Sequence, residues 1–293
     1  MTKRKPVPPA DWDAAACERA AFVAMVEREG RARWRELPWR NVDDPYAVLV
    51  SEVMLQQTQV KRVLGYWERF LAHFPTVDAL AAGSTSDVLE LWQGLGYNRR
   101  ALALKRCCEQ CARDHAGALP KTSDELEALP GIGPATAAGV VAFAYNRPAV
   151  YLETNVRSVF LHELFPEREQ VPDRELVPYV ADTCPATGAR AWYYALLDYG
   201  AYLKTQVENP SRRSRQYTRQ SAFEGSHRQK RSFVLKCVLA QPEGVSAAEV
   251  ARRLNAFERE QGRGDVPASA FDRLVAELAD EGFFTAEDGR LVP

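Results

Sequence analysis

The stretch that most constrains this chain is Leu129-Pro-Gly-Ile-Gly-Pro-Ala-Thr-Ala137, a turn with two glycines set between two helical patterns. Ser123 to Leu129 places polar and apolar residues at helical spacing, and Ala135 to Ala144 is an Ala/Val-rich helix former. Gly131 and Gly133 accept positive φ and leave the backbone bare of side chains. A turn built this way presents successive N–H groups at a helix N-terminus, where an anion such as a nucleic-acid phosphate binds without a basic side chain. An ordinary tight turn between helices also asks for glycines, so the motif alone leaves both readings open.

Helical spacing dominates the rest of the chain. Val48, Met54, Leu55, Val60, Leu64 and Phe70 follow a broken helical period from Pro45 to Phe70. Further helical patterns cover roughly 17–29, 85–93, 99–114, 134–145, 153–164, 174–183 and 189–203, with short Gly- or Pro-containing turns between them. The expected body is all-α and runs to about residue 205. Asn209 to Gln220 lacks apolar periodicity and reads as a linker. Helical patterns resume at Arg228–Leu239, Ser246–Phe257 and Ala268–Gly282, and Phe283–Val292 sets Asp-Gly between two short apolar runs, a hairpin signal. Three helices and a hairpin suggest a winged-helix-like module. The expected division is a helical core over 1–205, a basic linker over 206–225 and that module over 226–293.

Hydrophobic content of 46% beside 26% charged residues is ordinary for a globular protein. No run approaches the ~18 apolar residues of a membrane-spanning helix. The basic start, Met1-Thr-Lys-Arg-Lys-Pro, leads into Asp11, Asp13 and Glu18 rather than an apolar core, so it does not read as a signal peptide and the expected location is the cytoplasm, on the nucleoid. The net charge of −1 is uninformative, but its distribution is not. Between Lys204 and Arg231 eight Lys/Arg face only Glu208 and Glu224, which suits either phosphates or a solvated linker. Cys107, Cys108 and Cys111 share one expected helix, with no second pair at zinc spacing, and read with the other cysteines as small core residues; no metal site is expected.

Two carboxylates stand out. Glu52 lies within Ser51-Glu-Val-Met-Leu-Gln-Gln-Thr-Gln59, flanked by Val53, Met54 and Leu55. A carboxyl on an apolar helix face has a raised pKa and suits a general acid, whereas a Glu at the core edge paired with an Arg is the structural alternative. Glu153 follows Val150-Tyr-Leu152 and opens Glu-Thr-Asn-Val-Arg157, at an expected helix start where the dipole favours an ionised carboxylate. One protonated and one ionised carboxyl make the pair that breaks a glycosidic bond through an oxocarbenium-like transition state, provided the fold brings them together.

Six pieces give the chain a resemblance: Leu37-Pro-Trp-Arg40, Asp44-Pro-Tyr46, Ser51 to Val60, Gly94-Leu-Gly-Tyr97, Leu129 to Ala137, and Asn155-Val156. Over roughly residues 30–205 it resembles the helix-hairpin-helix (HhH-GPD) DNA glycosylases, and within them the MutY-type adenine glycosylases. The resemblance implies a two-lobed helical core that binds double-stranded DNA as a monomer. It makes Glu52 the catalytic acid, Glu153 the match of a catalytic aspartate and Asn155 the support of that carboxylate. Arg35, Trp39, Arg40 and Asp198 become the pocket for the flipped adenine. Gln56, Gln57 and Tyr97 become DNA contacts, the latter two as wedges in the duplex. Gly131 and Gly133 grip a phosphate, with a monovalent cation possible at the hairpin.

Three features depart from the family pattern, one of them the tail over roughly 222–293, which reads as a compact winged helix where the family carries a β-rich partner domain about twice as long. The catalytic aspartate is replaced by Glu153, one methylene longer, and a misplacement of about 1 Å can cost ~10²-fold in rate. The region that holds four cluster-binding cysteines in most of the family is Lys204 to Gln220 here and has no cysteine, so no iron–sulfur cluster is expected. Arg212, Arg213, Arg215 and Arg219 are expected to bind phosphates in its place. The bifunctional relatives, endonuclease III among them, carry a hairpin lysine where this chain has Ala135, so a monofunctional glycosylase with no lyase activity through that position is expected. The alternatives are a glycosylase for mismatched thymine or uracil or for a damaged base, and a non-catalytic lesion-sensing DNA-binding protein.

Overall fold

The computed structural model describes residues 7–293, and helices joined by short turns make up most of them. In chain order these are α1 (Arg19–Ala32), α2 (Pro45–Leu55), α3 (Val60–His73), α4 (Val77–Ala82), α5 (Thr85–Trp92), α6 (Arg99–Asp114) and α7 (Ser123–Glu127). Then follow α8 (Pro134–Phe143), α9 (Thr154–Leu164), α10 (Asp173–Thr183), α11 (Ala189–Gln206) and α12 (His227–Leu239). The chain closes with β1 (Val245–Ser246), α13 (Ala247–Glu260), α14 (Ala268–Asp280), β2 (Thr285–Glu287) and β3 (Arg290–Val292).

These elements gather into two units, neither continuous in sequence: residues up to 52 with 119–219, and 53–118 with 220–293. That partition cuts across the boundaries at 205 and 225 expected from the sequence. Periodicity reports which residues are helical, not which distant helices share a core.

In the first unit α11 is the axis. Trp192, Tyr193, Leu196, Tyr199 and Leu203 recur every one to four residues, are buried, and face α1 and α9. The α8 helix is apolar almost all round, and Thr136 through Phe143 are all buried, as a helix without a polar face must be. In the turn before it Gly131 takes φ +73°, whereas Gly133 caps α8 at φ −89° and ψ 173°. Only Gly131 therefore uses the left-handed region expected of both glycines. Gly133 contributes space instead, since nothing lies within 4 Å of where its Cβ would stand.

The segment expected to be a free linker is partly built into this unit. Pro210–Arg213 forms a 3-10 turn, and Ser214 pairs with Val171 in a parallel bridge. The Arg213 guanidinium donates to the main-chain oxygens of Leu161, Phe165 and Pro166 at 2.9, 2.5 and 2.6 Å. Leu161 lies in the last turn of α9, where carbonyls lack intrahelical partners, and Phe165 and Pro166 follow it directly. Apolar periodicity cannot signal a segment held by main-chain acceptors.

In the second unit α3 buries Val63, Trp67 and Phe70, and α6 buries Leu104 together with Cys107, Cys108 and Cys111. Toward the C-terminus α12, α13 and α14 lie beside a three-stranded antiparallel sheet of order β1-β3-β2. Asp288 and Gly289 both take positive φ, 47° and 71°, the requirement of a two-residue hairpin turn. The two-residue β1, with Val245 opposite Leu291, carries no sequence signal because it is shorter than any period.

Candidate active site

Glu52 stands on α2 between buried Ser51 and Val53, itself half-buried. Burial pushes its carboxyl from the ordinary 4.5 up to about 8; the nearby charge of Glu153 pushes the same way, and a hydrogen bond from Tyr151 pulls it down. The carboxyl therefore keeps its proton at neutral pH. Room for it comes from α8: a Cβ on Gly139 would overlap Glu52 Oε2 and stand 3.0 Å from the Tyr151 ring. Tyr151 is fixed by edge-on contacts with Phe143 and Tyr193 at 5.1 and 5.3 Å.

Glu153 is the N-cap of α9. Its Oε1 accepts the N–H of Asn155 at 2.5 Å and of Val156 at 2.9 Å. The side-chain amide of Asn155 lies 3.4 Å from Oε2, and Lys204 donates to Asn155 Oδ1 at 2.8 Å. Burial leaves the Glu153 pKa raised above the ordinary carboxylate value, and the Val156 N–H, the charge of Lys204, the Asn155 N–H and the charge of Arg157 offset part of that rise. Donors and cations thus oppose burial at Glu153. At Glu52 only the tyrosine does. The two carboxyls singled out in the sequence are brought into one unit; burial raises both pKa values, and Glu153 has the more N–H donors and cations against that rise.

The four expected pocket residues form a more closed arrangement than the sequence suggested. Asp198 is buried on α11 and accepts from Arg40 at 2.7 and 2.7 Å and from Arg35 Nε at 2.5 Å. Arg40 is itself buried, its guanidinium 4.4 Å from the Tyr194 ring and 4.8 Å from Trp34. Trp39 is 4% exposed. Arg40 and Asp198 are therefore spent on each other, and Arg35 alone of the four keeps an open side. Trp34, 45% exposed beside them, escaped the sequence reading although it lies between Arg33 and Arg35.

In the second unit Gln57 and Tyr97 both sit in the left-handed region, at φ +52° and +49°, a strained choice for residues with a Cβ. Gln57 is exposed and Gln56 half-buried. A residue the sequence reading missed holds both loops. Arg100, at the start of α6, donates to the carbonyls of Val53, Met54 and Gln56 at 2.8, 2.9 and 2.6 Å and to Gly96 O at 2.9 Å. It also donates to Thr58 Oγ1 at 3.0 Å. Burial lowers its pKa to about 10, still charged at neutral pH. The Tyr97 hydroxyl accepts from Arg228 at 2.7 Å and from Gln220.

Of the four arginines expected to meet phosphates, Arg213 is committed to carbonyls as described, and Arg212 pairs with Glu208 at 2.7 Å on the surface. Arg215 and Arg219 are exposed. Ala135 is exposed in the first turn of α8.

The family described as HhH-GPD superfamily base excision DNA repair protein matches residues 50–177. The adenine DNA glycosylase of Mycobacterium tuberculosis is 34% identical over 284 residues, covering 87% of this chain and 90% of that protein. Among solved structures, a thermostable thymine-DNA glycosylase superposes with a TM-score of 0.56 at 23% identity, over 62% of this chain and 86% of its own. An endonuclease III–DNA covalent intermediate gives 0.53 at 20%, over 64% and 87%. These two likenesses establish the fold. Identity across nearly the whole length of both chains establishes more: the chain belongs to the adenine DNA glycosylase family.

Proposed function

We propose that the chain is a monofunctional, monomeric glycosylase of base excision repair that hydrolyses the bond between a mispaired adenine and its deoxyribose in double-stranded DNA. The observation that carries this reading is the pair of neighbouring carboxyls, Glu52 with its pKa pushed up to about 8 by burial and Glu153 capped by two N–H donors with Lys204 and Arg157 near it.

A base inside a duplex must leave the stack before its glycosidic bond can be reached. Gln57 and Tyr97, presented on tight loops, enter the stack and lower that cost. The Gly131–Gly133 turn binds a phosphate through its N–H groups, and Arg215 and Arg219 add charge to the DNA surface. A monovalent cation at the turn, which the family resemblance implies, would be held by main-chain oxygens and would stiffen the turn. Arg35 and the exposed Trp34 form the wall against which the extruded base rests, with Trp39 and the Arg40–Asp198 pair behind them. Glu52 then donates its proton to a ring nitrogen of the base. The C1′–N bond breaks with its electron pair going to the base, and the Glu153 carboxylate stabilises the cationic sugar. Water adds to C1′, its proton returns to Glu52, and an abasic site remains.

Lys204 to Gln220 does not fit a four-cysteine cluster, since it offers no thiolate and its Pro210–Arg213 turn is tied to α9 by Arg213. No step depends on one. The order helix–strand–helix–helix–hairpin supports reading residues 226–293 as a winged-helix-like module. Work on DNA would place the protein on the nucleoid.

The test is base release from duplexes with adenine opposite 8-oxoguanine or guanine, and with thymine or uracil opposite guanine, for the unaltered protein and Glu52→Gln. Adenine release that is lost in Glu52→Gln is the expected result. Release of a pyrimidine instead would move the chain to a sister specificity, and DNA binding without any release would make it a lesion sensor.

A further inference from the structure

Lys204 occupies the last turn of α11, where a lysine ordinarily serves the helix dipole and points to water. Here it does neither. It is half-buried, and its Nζ donates to Asn155 Oδ1 at 2.8 Å, on the first turn of α9. The reach is set by the backbone. One turn earlier on the same face of α11, a Cβ on Gly200 would overlap the main-chain oxygen of Asn155, so the two helices are pressed together at this point.

The contact has a consequence for Glu153. An ammonium only donates, so the face of the Asn155 amide toward Lys204 must be its oxygen. The NH₂ end is thereby turned to Glu153, where it lies 3.4 Å from Oε2. Without the lysine the amide's orientation rests on its 3.4 Å contact with the carboxylate. The charged and titratable groups around Glu153 are Glu52 on α2, Tyr151 before α9, Arg157 on α9 and Lys204 on α11. Arg157 shares its charge with Asp173 through bonds of 2.8 and 2.7 Å, whereas Lys204 binds a neutral amide.

We propose that Lys204 is a positioning residue for base release: it holds the Asn155 amide in the orientation that donates to Glu153 and sets a cation beside this longer carboxylate. The proposal rests on the glycosylase reading above. In this chain the lysine begins the segment without cysteines, so one residue both ends the core and completes the carboxylate's surroundings.

Single-turnover release of adenine, followed across about pH 5–9, tests it in the unaltered protein and in Lys204→Met, Lys204→Gln and Lys204→Arg. Loss of the cation raises the Glu153 pKa, so the acid limb of the profile moves to higher pH in Lys204→Met and Lys204→Gln. The neutral-pH rate falls by about 10–10²-fold, and Lys204→Arg recovers most of it. In an Asn155→Ala background Lys204→Met costs much less, because the partner is already gone. An unmoved acid limb, or the same loss in both backgrounds, overturns the proposal and leaves the glycosylase reading intact. No base release by the unaltered protein overturns both. If Lys204→Met does not fold, Lys204→Gln carries the same expectations.

Discussion

Gly139 of α8 and Glu52 of α2 meet so closely that a methyl group on the glycine would occupy the position of Glu52 Oε2. The helix that follows the glycine turn is therefore also the floor beneath the Glu52 carboxyl. Gly139→Ala should fold with a penalty of about 1–3 kcal/mol, from overpacking a buried helix. Its carboxyl is displaced by about an ångström, so adenine release should fall by roughly 10²-fold while DNA affinity holds. Thermal unfolding, single-turnover release and a binding titration separate the two effects.

Glu52 must be protonated to act, so activity should be present below its pKa of about 8 and decline as pH rises through it. Tyr151 donates to this carboxyl and favours its charged form. Tyr151→Phe removes that donor, raises the pKa and moves the alkaline limb upward by about half a unit to one unit. A limb that moves down in Tyr151→Phe, or that disappears when Glu153 is substituted, would contradict the assignment of the proton to Glu52.

Arg100 ties the Gln57 and Tyr97 loops to one guanidinium. Arg100→Met should slow adenine release from fully paired flanking duplex by about 10–10²-fold, because the wedges lose their fixed geometry. Release from a bubble, where the base is already unstacked, should change far less. The ratio of the two rates is the measurement; an equal loss on both substrates would mean a general folding defect.

The arginines after α11 should divide by their surroundings. Arg215→Gln and Arg219→Gln should each reduce the salt slope of DNA binding by about 1, since each removes one exposed cation. Arg213→Gln should leave the slope alone and cost about 1–3 kcal/mol of stability by freeing the acceptors at the end of α9.

Ala135 predicts an abasic product with an uncleaved strand, visible on a gel run without alkali. Ala135→Lys should create an adduct with the abasic site that borohydride traps, since the residue is exposed at the first turn of α8. Trapping by the unaltered protein at comparable yield would locate an amine elsewhere.

Local order and the identity of the chemistry were legible in the sequence because both depend on residue type at fixed spacing. Helical period, the Asp-Gly hairpin, the glycine turn, Glu52 in an apolar run and Glu153 at a helix start all follow from neighbours along the chain. What the tertiary structure decided was every relation between distant segments. It paired Arg40 with Asp198, closing half of the expected pocket, and spent Arg213 on the end of α9 rather than on DNA. It set Gly139 against Glu52, gathered two loops on Arg100 and brought Lys204 to Asn155. It also grouped 53–118 with 220–293, against chain order. Periodicity specifies which face of a helix is buried; only packing specifies which charge, donor or space that face meets, and those partners set the protonation on which the proposed reaction turns.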